Sequence, residues 1–374
     1  MQNSKFEIML VCAPGLEKVL AAEAAEQRFA LAGTKPGGVL LNGTWKDVWR
    51  ANLNLRGAGA VLARIGTFRA SHLSELDKRA RKFPWKDFIL RGTSVNVTAS
   101  CHASRVYHSG AVKARIESAL TEEAGALISE DALLEVMVRI DKEQCTISLN
   151  TSGTALHKRG YKEAVGKAPM RETMAALFLR QCGFNGNEPV LDPMCGSGTF
   201  VIEAAEIACG LAPGRDRQFA FEHLKNFDQE TWAELKATQK SRDVASIFMG
   251  FDRNAGGIAS AKANAERAGV SSITQFQQSA ISNLQRPEGS PGLVIVNPPY
   301  GGRIGDAQKL RDLYTAFGRV MMEKFAGWRV GVITNEEPLA RATKLDFNQI
   351  STTILHGGLR VRIYQTGMLP QKGS

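Results

Sequence analysis

Four consecutive residues, Asn297-Pro298-Pro299-Tyr300, follow the apolar run in "LVIVNPPYGGRIGD". Two successive prolines fix the backbone and remove two N–H donors, which leaves carbonyls turned toward a cleft. The Asn297 side-chain oxygen and the Pro298 carbonyl can then accept the two hydrogens of an exocyclic amine. Tyr300 offers a flat face on which a base can stack. A nucleobase amine is a poor nucleophile because its lone pair is delocalised into the ring. Two acceptors outside the ring plane favour a pyramidal nitrogen with a directed lone pair, so in-line transfer to it needs orientation more than a strong base. A Pro-Pro turn with a purely structural role needs neither the amide nor the aromatic ring.

A second stretch, "PVLDPMCGSGTFVIEAAEIA", reads as strand, tight turn and helix, the setting in which glycines serve a ligand. Gly196 and Gly198 remove two side chains where a ligand approaches the backbone. The third glycine of the dinucleotide fingerprint is absent, with Val201 in its place, which counts against a pyrophosphate ligand. Asp192, just before the turn, is unfavourable beside phosphate and favourable beside a cation. S-adenosylmethionine carries both a sulfonium and an α-ammonium, so this carboxylate suits it. Asp252, in "SIFMGFDRNAGG", stands where a ribose-binding carboxylate is expected, although the interval is much longer than the usual ~20 residues. The stretch around 210 to 245 accounts for the excess as an insertion containing "APGRDR" and a helix. A merely structural turn and a helix-capping Asp252 are the plain alternatives at these two points.

Such residues need a sheet to hold them. From "APMRETMAALFLRQCGF" onward, strand and helix signals alternate through "EPVLDPM", "TFVIEAAEIAC", "SIFMGFD", "GGIASAKANAERAG", "ITQFQQS", "GLVIVNPPY", "LYTAFGRVMMEKF" and "WRVGVIT", with β-rich residues at 349 to 366. That order predicts an α/β domain over 169–374, a parallel sheet covered by helices. Upstream, residues 1–65 follow a β-α-β-β-α order and 66–152 form a second mixed unit. Residues 153–168 are polar, basic and glycine-bearing, as in a linker.

The bulk composition, 44% hydrophobic and 22% charged over 374 residues, is that of a soluble chain of two or three folding units. No apolar run is long enough to span a bilayer, and "MQNSKFEIML" lacks the plan of a secretory signal, so a cytoplasmic protein is expected. Six cysteines are scattered without CxxC pairs, which argues against a zinc site or a disulfide framework, and no metal is expected. There are 47 Lys and Arg against 37 Asp and Glu, a formal charge of +10 and a pI near 9.4. A polyanion such as nucleic acid would explain the excess, and so would a basic surface that only aids solubility.

"DPMCGSGTF", "FDRNAGGIASAKANAERAG" and "NPPYGGRIGD" together resemble the motifs of class I S-adenosylmethionine-dependent methyltransferases acting on exocyclic amines. "SRVYHSGAVKARIESAL" resembles a segment of THUMP domains, and "TSGTALHKRGYKEAVGKAPMRETMAALFL" resembles the linker and first helix of THUMP-containing RNA methyltransferases. The chain from about 66 to 374 is similar to the bacterial group that includes the large-subunit rRNA guanine-N2 methyltransferase, and 1–65 fits the ferredoxin-like domain found there. The resemblance implies a Rossmann-like methyltransferase domain behind two RNA-holding domains, with structured RNA as partner, ribosomal ahead of transfer RNA. It implies that Asp192, Cys195, Gly196, Ser197, Gly198, Thr199 and Asp252 line the cofactor, with Arg171 and Thr173 reaching its carboxylate end. Arg105, His108, Lys113 and Arg115, and in the linker His157, Lys158, Arg159 and Lys162, would together contact phosphates; for any one of them an ordinary solvated charge is the plain alternative. Two departures stand out. Ser279-Ala280 replaces an acid followed by a small residue, so the adenine amine meets a weaker acceptor, and Gly302 stands where relatives often carry Glu.

Three other readings fit part of this pattern. A nicotinamide-dependent dehydrogenase shares the α/β order and the glycine turn but leaves Asn-Pro-Pro-Tyr unexplained. A non-catalytic RNA-binding assembly factor fits Ser279 and Gly302. An N6-adenine methyltransferase on DNA or RNA uses the same tetrapeptide, because adenine N6 and guanine N2 are both exocyclic amines.

Overall fold

The computed structural model describes residues 4–163, 170–300 and 307–371; Gly302 lies outside them, as does the end of the expected linker. The chain divides into two compact units, one of residues 1–12, 20–156 and 214–238, the other of 13–19, 157–213 and 239–374. The first unit begins with β1 (Phe6–Val11), α1 (Glu17–Glu26, part of whose first turn falls in the second unit), β2 (Leu31–Lys35), β3 (Gly38–Gly43), α2 (Trp45–Asn54) and β4 (Ala60–Arg69). It continues with α3 (Leu73–Arg81), β5 (Ser94–His102), α4 (Ser109–Ala119), β6 (Leu127–Ile128), β7 (Leu134–Asp141) and β8 (Gln144–Asn150). All eight strands join one sheet in the order β2-β3-β1-β4-β8-β7-β5-β6. β4 crosses residue 65 and is paired on both sides, Ala63 lying opposite Ile8 and also opposite Leu149. Its sequence gives no alternating signal, because three successive residues, Val61, Leu62 and Ala63, are all buried. A buried polar knot ties it down: Thr151 Oγ1 donates to Val61 O at 2.7 Å, and Ser152 Oγ accepts from Val61 N at 2.8 Å.

The second unit is built on α5 (Glu172–Gln181), β9 (Val190–Asp192) and α6 (Thr199–Cys209). After α6 the chain leaves it. Residues 214–238 belong to the first unit and carry α7 (Gln229–Ala237), the helix expected in the insertion. Phe219, Phe221 and Trp232 are buried there, with Phe221 stacked on Phe219 at 5.1 Å and edge-on to Trp232 at 5.1 Å. Trp49 of α2 packs against Phe221 and Phe227 in the same cluster. Aromatic side chains bury large areas, so this segment is core of the first unit and not a surface loop.

The second unit then resumes with β10 (Phe248–Asp252), α8 (Ala255–Arg267), β11 (Thr274–Gln278), β12 (Leu293–Val296), α9 (Ala307–Lys324), β13 (Arg329–Thr334) and α10 (Glu337–Ala342). It closes with β14 (Phe347–Ile350), β15 (Ile354–His356) and β16 (Leu359–Thr366). The sheet order is β11-β10-β9-β12-β13-β16-β14; β11 to β13 run parallel, and β16 and β14 are antiparallel to their neighbours. Every residue of β12 is buried, as a central strand covered on both faces requires. From β9 the chain adds β10 and β11 on one side, then crosses to β12 on the other. The crevice at the carboxyl ends between β9 and β12 is therefore the topological switch point, where open α/β sheets bind ligands.

Candidate active site

Register places the expected residues along one edge of the sheet. Gly250 of β10 lies opposite Asp192 of β9, Asp252 opposite Gln278 of β11, and Val294 of β12 opposite Leu191. Ser279, Asp252, the glycine turn and Asn297 thus follow successive carboxyl ends. The turn is held in a conformation that L side chains rarely adopt, Gly196 at φ +53° and Gly198 at φ +85°. A Cβ on Gly198 would meet Ala261 and the Phe276 ring at 3.0 Å, so helix α8 and strand β11 approach closely there. At Gly196 a Cβ would have no atom within 4 Å, and the backbone faces open space.

Two carboxylates flank the turn. Asp252 Oδ2 accepts from Gly196 N at 2.9 Å, and its Oδ1 accepts from Asn254 N at 2.9 Å. An ionised carboxylate has about four acceptor sites, so two are left for a ligand's hydroxyls. Asp252 is also the brace of the turn, a role that motif spacing does not reveal. It is not a helix cap; Asn254 caps α8, accepting from Gly256 N at 2.9 Å. Asp192 is buried, accepts from Met194 N at 3.0 Å, and is pushed up to about 8, mainly by burial and further by Asp252, against the Met194 hydrogen bond. Burial also pushes the Cys195 thiol far up, reinforced by Asp192 and Asp252, so this cysteine is an apolar filler under the turn. Ser197 O accepts from Asn264 Nδ2 at 3.1 Å. Thr199 is the first residue of α6 and Arg171 the exposed N-cap of α5, whereas Thr173 is buried.

At the diproline corner, Asn297 and Pro299 are half-buried and Pro298 is buried. The Asn297 side-chain oxygen is screened from solvent and has no hydrogen-bond partner among the described residues. A buried acceptor left unmet costs about 1–3 kcal/mol, and a ligand donor would relieve it. Tyr300 is placed otherwise than expected. It is fully buried and shows no open face for a base; the Tyr314 phenol of α9 is raised chiefly by its own burial and further by Tyr300. Beyond β11, an open depression of about 480 Å³ is lined by Arg253, Gln277, Gln278, Ser279, Ala280 and Asn283. Ser279 N donates to Asp252 O at 2.9 Å, and its hydroxyl donates to Ala280 O at 3.2 Å.

The expected phosphate contacts separate into two kinds. In the first unit, Arg105 and His108 are exposed on either side of Tyr107, which is 79% exposed and which charge-based reasoning passed over. Lys113 lies between Glu117 and Glu130, and Arg115 is 3.8 Å from Asp77, pairs too exposed to hold these cations firmly. In the second unit, Lys158 is exposed but the side chains of Arg159 and Lys162 are largely buried. Arg159 pairs with Glu203 at 3.3 Å with side chains 3% and 0% exposed, and Lys162 pairs with Glu172 at 3.1 Å. His157 is pulled down to about 4 by burial and by Arg171, Lys158, Arg159 and Lys162, so it is neutral at pH 7. Sequence shows only that these residues are basic; of the buried acids that claim two of them, Glu203 lies 44 residues on from Arg159, and Glu172 becomes a partner of Lys162 only once α5 is in place. Among the described residues there is no cluster able to hold a metal and no helix long and apolar enough to cross a membrane.

A mostly parallel sheet with a glycine turn after its central strand, a carboxylate after the next and Asn-Pro-Pro across the switch point defines a Rossmann-like methyltransferase. Residues 159–361 match the family described as "RMKL-like, methyltransferase domain", 7–62 the "RlmL ferredoxin-like domain" and 70–150 the "THUMP domain". The chain belongs to the RMKL-like methyltransferase family, with N-terminal ferredoxin-like and THUMP domains. A relative from Vibrio campbellii, "Ribosomal RNA large subunit methyltransferase K/L", is 32% identical over 91% of this chain and 50% of its own length. The chain therefore spans about half the length of the curated relatives it matches. A structure from Listeria monocytogenes, "a predicted N6-adenine-specific DNA methylase", is 30% identical with a TM-score of 0.87 over 98% of this chain and 97% of that one. Another, "a possible methylase from Clostridium difficile 630", is 28% identical with a TM-score of 0.89 over 99% of this chain and 100% of that one.

Proposed function

We propose that this protein methylates the exocyclic N2 of a guanine in large-subunit ribosomal RNA. The observation that carries the reading is the buried oxygen of Asn297 at the switch-point crevice, unmet among the described residues. S-adenosylmethionine supplies the methyl on a sulfonium. Asp252 would hold the ribose hydroxyls while fixing Gly196, and the open backbone at Gly196 leaves room for the cofactor chain between β10 and β12. Asp192 would answer the cofactor's positive charge. Arg171, exposed at the head of α5, would reach its carboxylate end, and Ser279, which borders the open depression beyond β11, would meet its base. Asn297 Oδ1 and the Pro298 carbonyl would accept the two amine hydrogens of the target, turning the nitrogen's lone pair toward the methyl; the proton then leaves to water. A target base must leave its stack to arrive there. Structured RNA as substrate rests on the THUMP match and on the name carried by the Vibrio campbellii relative.

The test is transfer of labelled methyl from S-adenosylmethionine to unmodified ribosomal RNA, followed by nucleoside mass analysis. The expected product is N2-methylguanosine in the large-subunit RNA. Label in N6-methyladenosine would overturn the choice of atom. Intact RNA binding with no transfer would make the protein an assembly factor instead.

A further inference from the structure

The Lys162 ammonium has three donors, and the structure accounts for all of them. It donates to Thr199 Oγ1 at 2.8 Å and to Met170 O at 3.2 Å, and it pairs with Glu172 Oε1 at 3.1 Å. The lysine side chain is 8% exposed and the glutamate 3%. Burial raises Glu172 above the ordinary carboxylate range, and Lys162 opposes that rise. A lysine has no acceptor, so toward Thr199 it can only give a proton, and the threonine hydroxyl must accept. The hydrogen of that hydroxyl is then committed to pointing elsewhere, and no acceptor for it is found among the described residues. Thr199 is 5% exposed and stands immediately after Gly198, on the β9 turn that lies between the ribose carboxylate on β10 and the amine acceptor on β12.

We infer that Lys162 is a positioning residue for the cofactor: it fixes the Thr199 hydroxyl as a donor to the amino-acid end of S-adenosylmethionine. This rests on the proposed reading of the glycine turn. It also explains why a lysine from the segment before α5 is buried at the head of α6, where a cation gains nothing from the helix dipole. The same turn is braced on its other side, since Tyr161 O accepts from Arg267 Nε at 2.6 Å, Arg267 donates to Asn264 Oδ1 at 2.6 Å, and Asn264 donates to Ser197 O. Ser197 and Thr199, on the two sides of Gly198, are thus both tied to residues 161 and 162.

The test uses two probes on the purified protein by calorimetry: S-adenosylhomocysteine, and methylthioadenosine, which has the same nucleoside and sulfur but no amino-acid end. Thr199→Val, which keeps shape and loses only the hydroxyl, is expected to weaken S-adenosylhomocysteine about tenfold and leave methylthioadenosine within about twofold. Lys162→Met should show the same selective loss, Lys162→Arg should restore part of it, and the double variant should be no weaker than Lys162→Met alone. Equal losses for the two probes would overturn the inference, because a merely structural lysine loosens the whole site. Additive losses in the double variant would overturn it as well. Asp252→Asn separates this from the reading beneath it: weakened probes there with an unaffected Thr199→Val sink the inference alone, and unaffected probes there sink the placement of the cofactor.

Discussion

Asn297 is where the chemistry is most exposed to test. Its amide oxygen is buried with no donor among the described residues, so removing it should relieve a cost in the free protein while taking an acceptor from the reacting amine. Asn297→Ala is expected to lower kcat by roughly 10²-fold while affinity for S-adenosylhomocysteine stays within about twofold. Near-normal kcat would remove Asn297 from the mechanism. Asp192 gives a prediction in pH. Burial holds its folded value near 8, above its ordinary 3.8, so the folded protein favours the neutral acid. The stability tied to that proton is complete below about 4 and is lost as pH rises through about 8. A cationic ligand favours the carboxylate, so binding should release a proton below pH 8. Affinity for S-adenosylhomocysteine should climb from pH 6 to 8 and flatten above, whereas a pH-independent affinity would place the ammonium away from Asp192. At this scale the sequence displays residue types and spacing, enough to bring Asp192, Asp252, Asn297 and Ser279 to one sheet edge. Where each side chain points is set by partners distant in the chain, which is why Tyr300 faces inward and Lys162 serves α6.

Elements were legible where their pattern is local. The alternation from β9 to β13 follows from apolar runs and helix periods, and the hairpin before α2 from its glycines. β4 and α10 escaped notice for opposite reasons. β4 has consecutive buried residues and no alternation, and α10 is six residues long with Pro338 near its start. The segment 214–238 shows a deeper limit: its helix is readable, but membership in the first unit depends on Trp49, Phe221 and Trp232 meeting across the chain. That makes a stability prediction. Trp232 is 2% exposed, and Trp232→Ala should destabilise the first unit by about 3–5 kcal/mol, read as a lowered urea midpoint. S-adenosylhomocysteine affinity of the remaining folded protein should be unchanged, since the binding residues proposed here belong to the other unit. An unaltered midpoint would mean that the aromatic cluster adds nothing to that core.

For the molecule as a whole, a formal charge of +10 predicts a salt-dependent attraction to RNA that no single residue supplies. The structure nevertheless ranks the contributors. Arg159 and Lys162 are enclosed by acids and release no counterions on binding, and His157 carries no charge at pH 7. Arg105 is exposed, and among the described residues its bond is from the backbone N–H to Glu143 at 3.3 Å. Arg105→Ala should therefore reduce the slope of log affinity against log salt by about one. Tyr107→Ala should behave differently. A ring that is 79% exposed between Arg105 and His108 can stack an unpaired base, a contact worth about 1–3 kcal/mol that carries no charge. Its loss should weaken binding to structured ribosomal RNA at every salt concentration and leave the slope as it was. A changed slope for Tyr107→Ala, or an unchanged one for Arg105→Ala, would show that RNA meets this protein on another face.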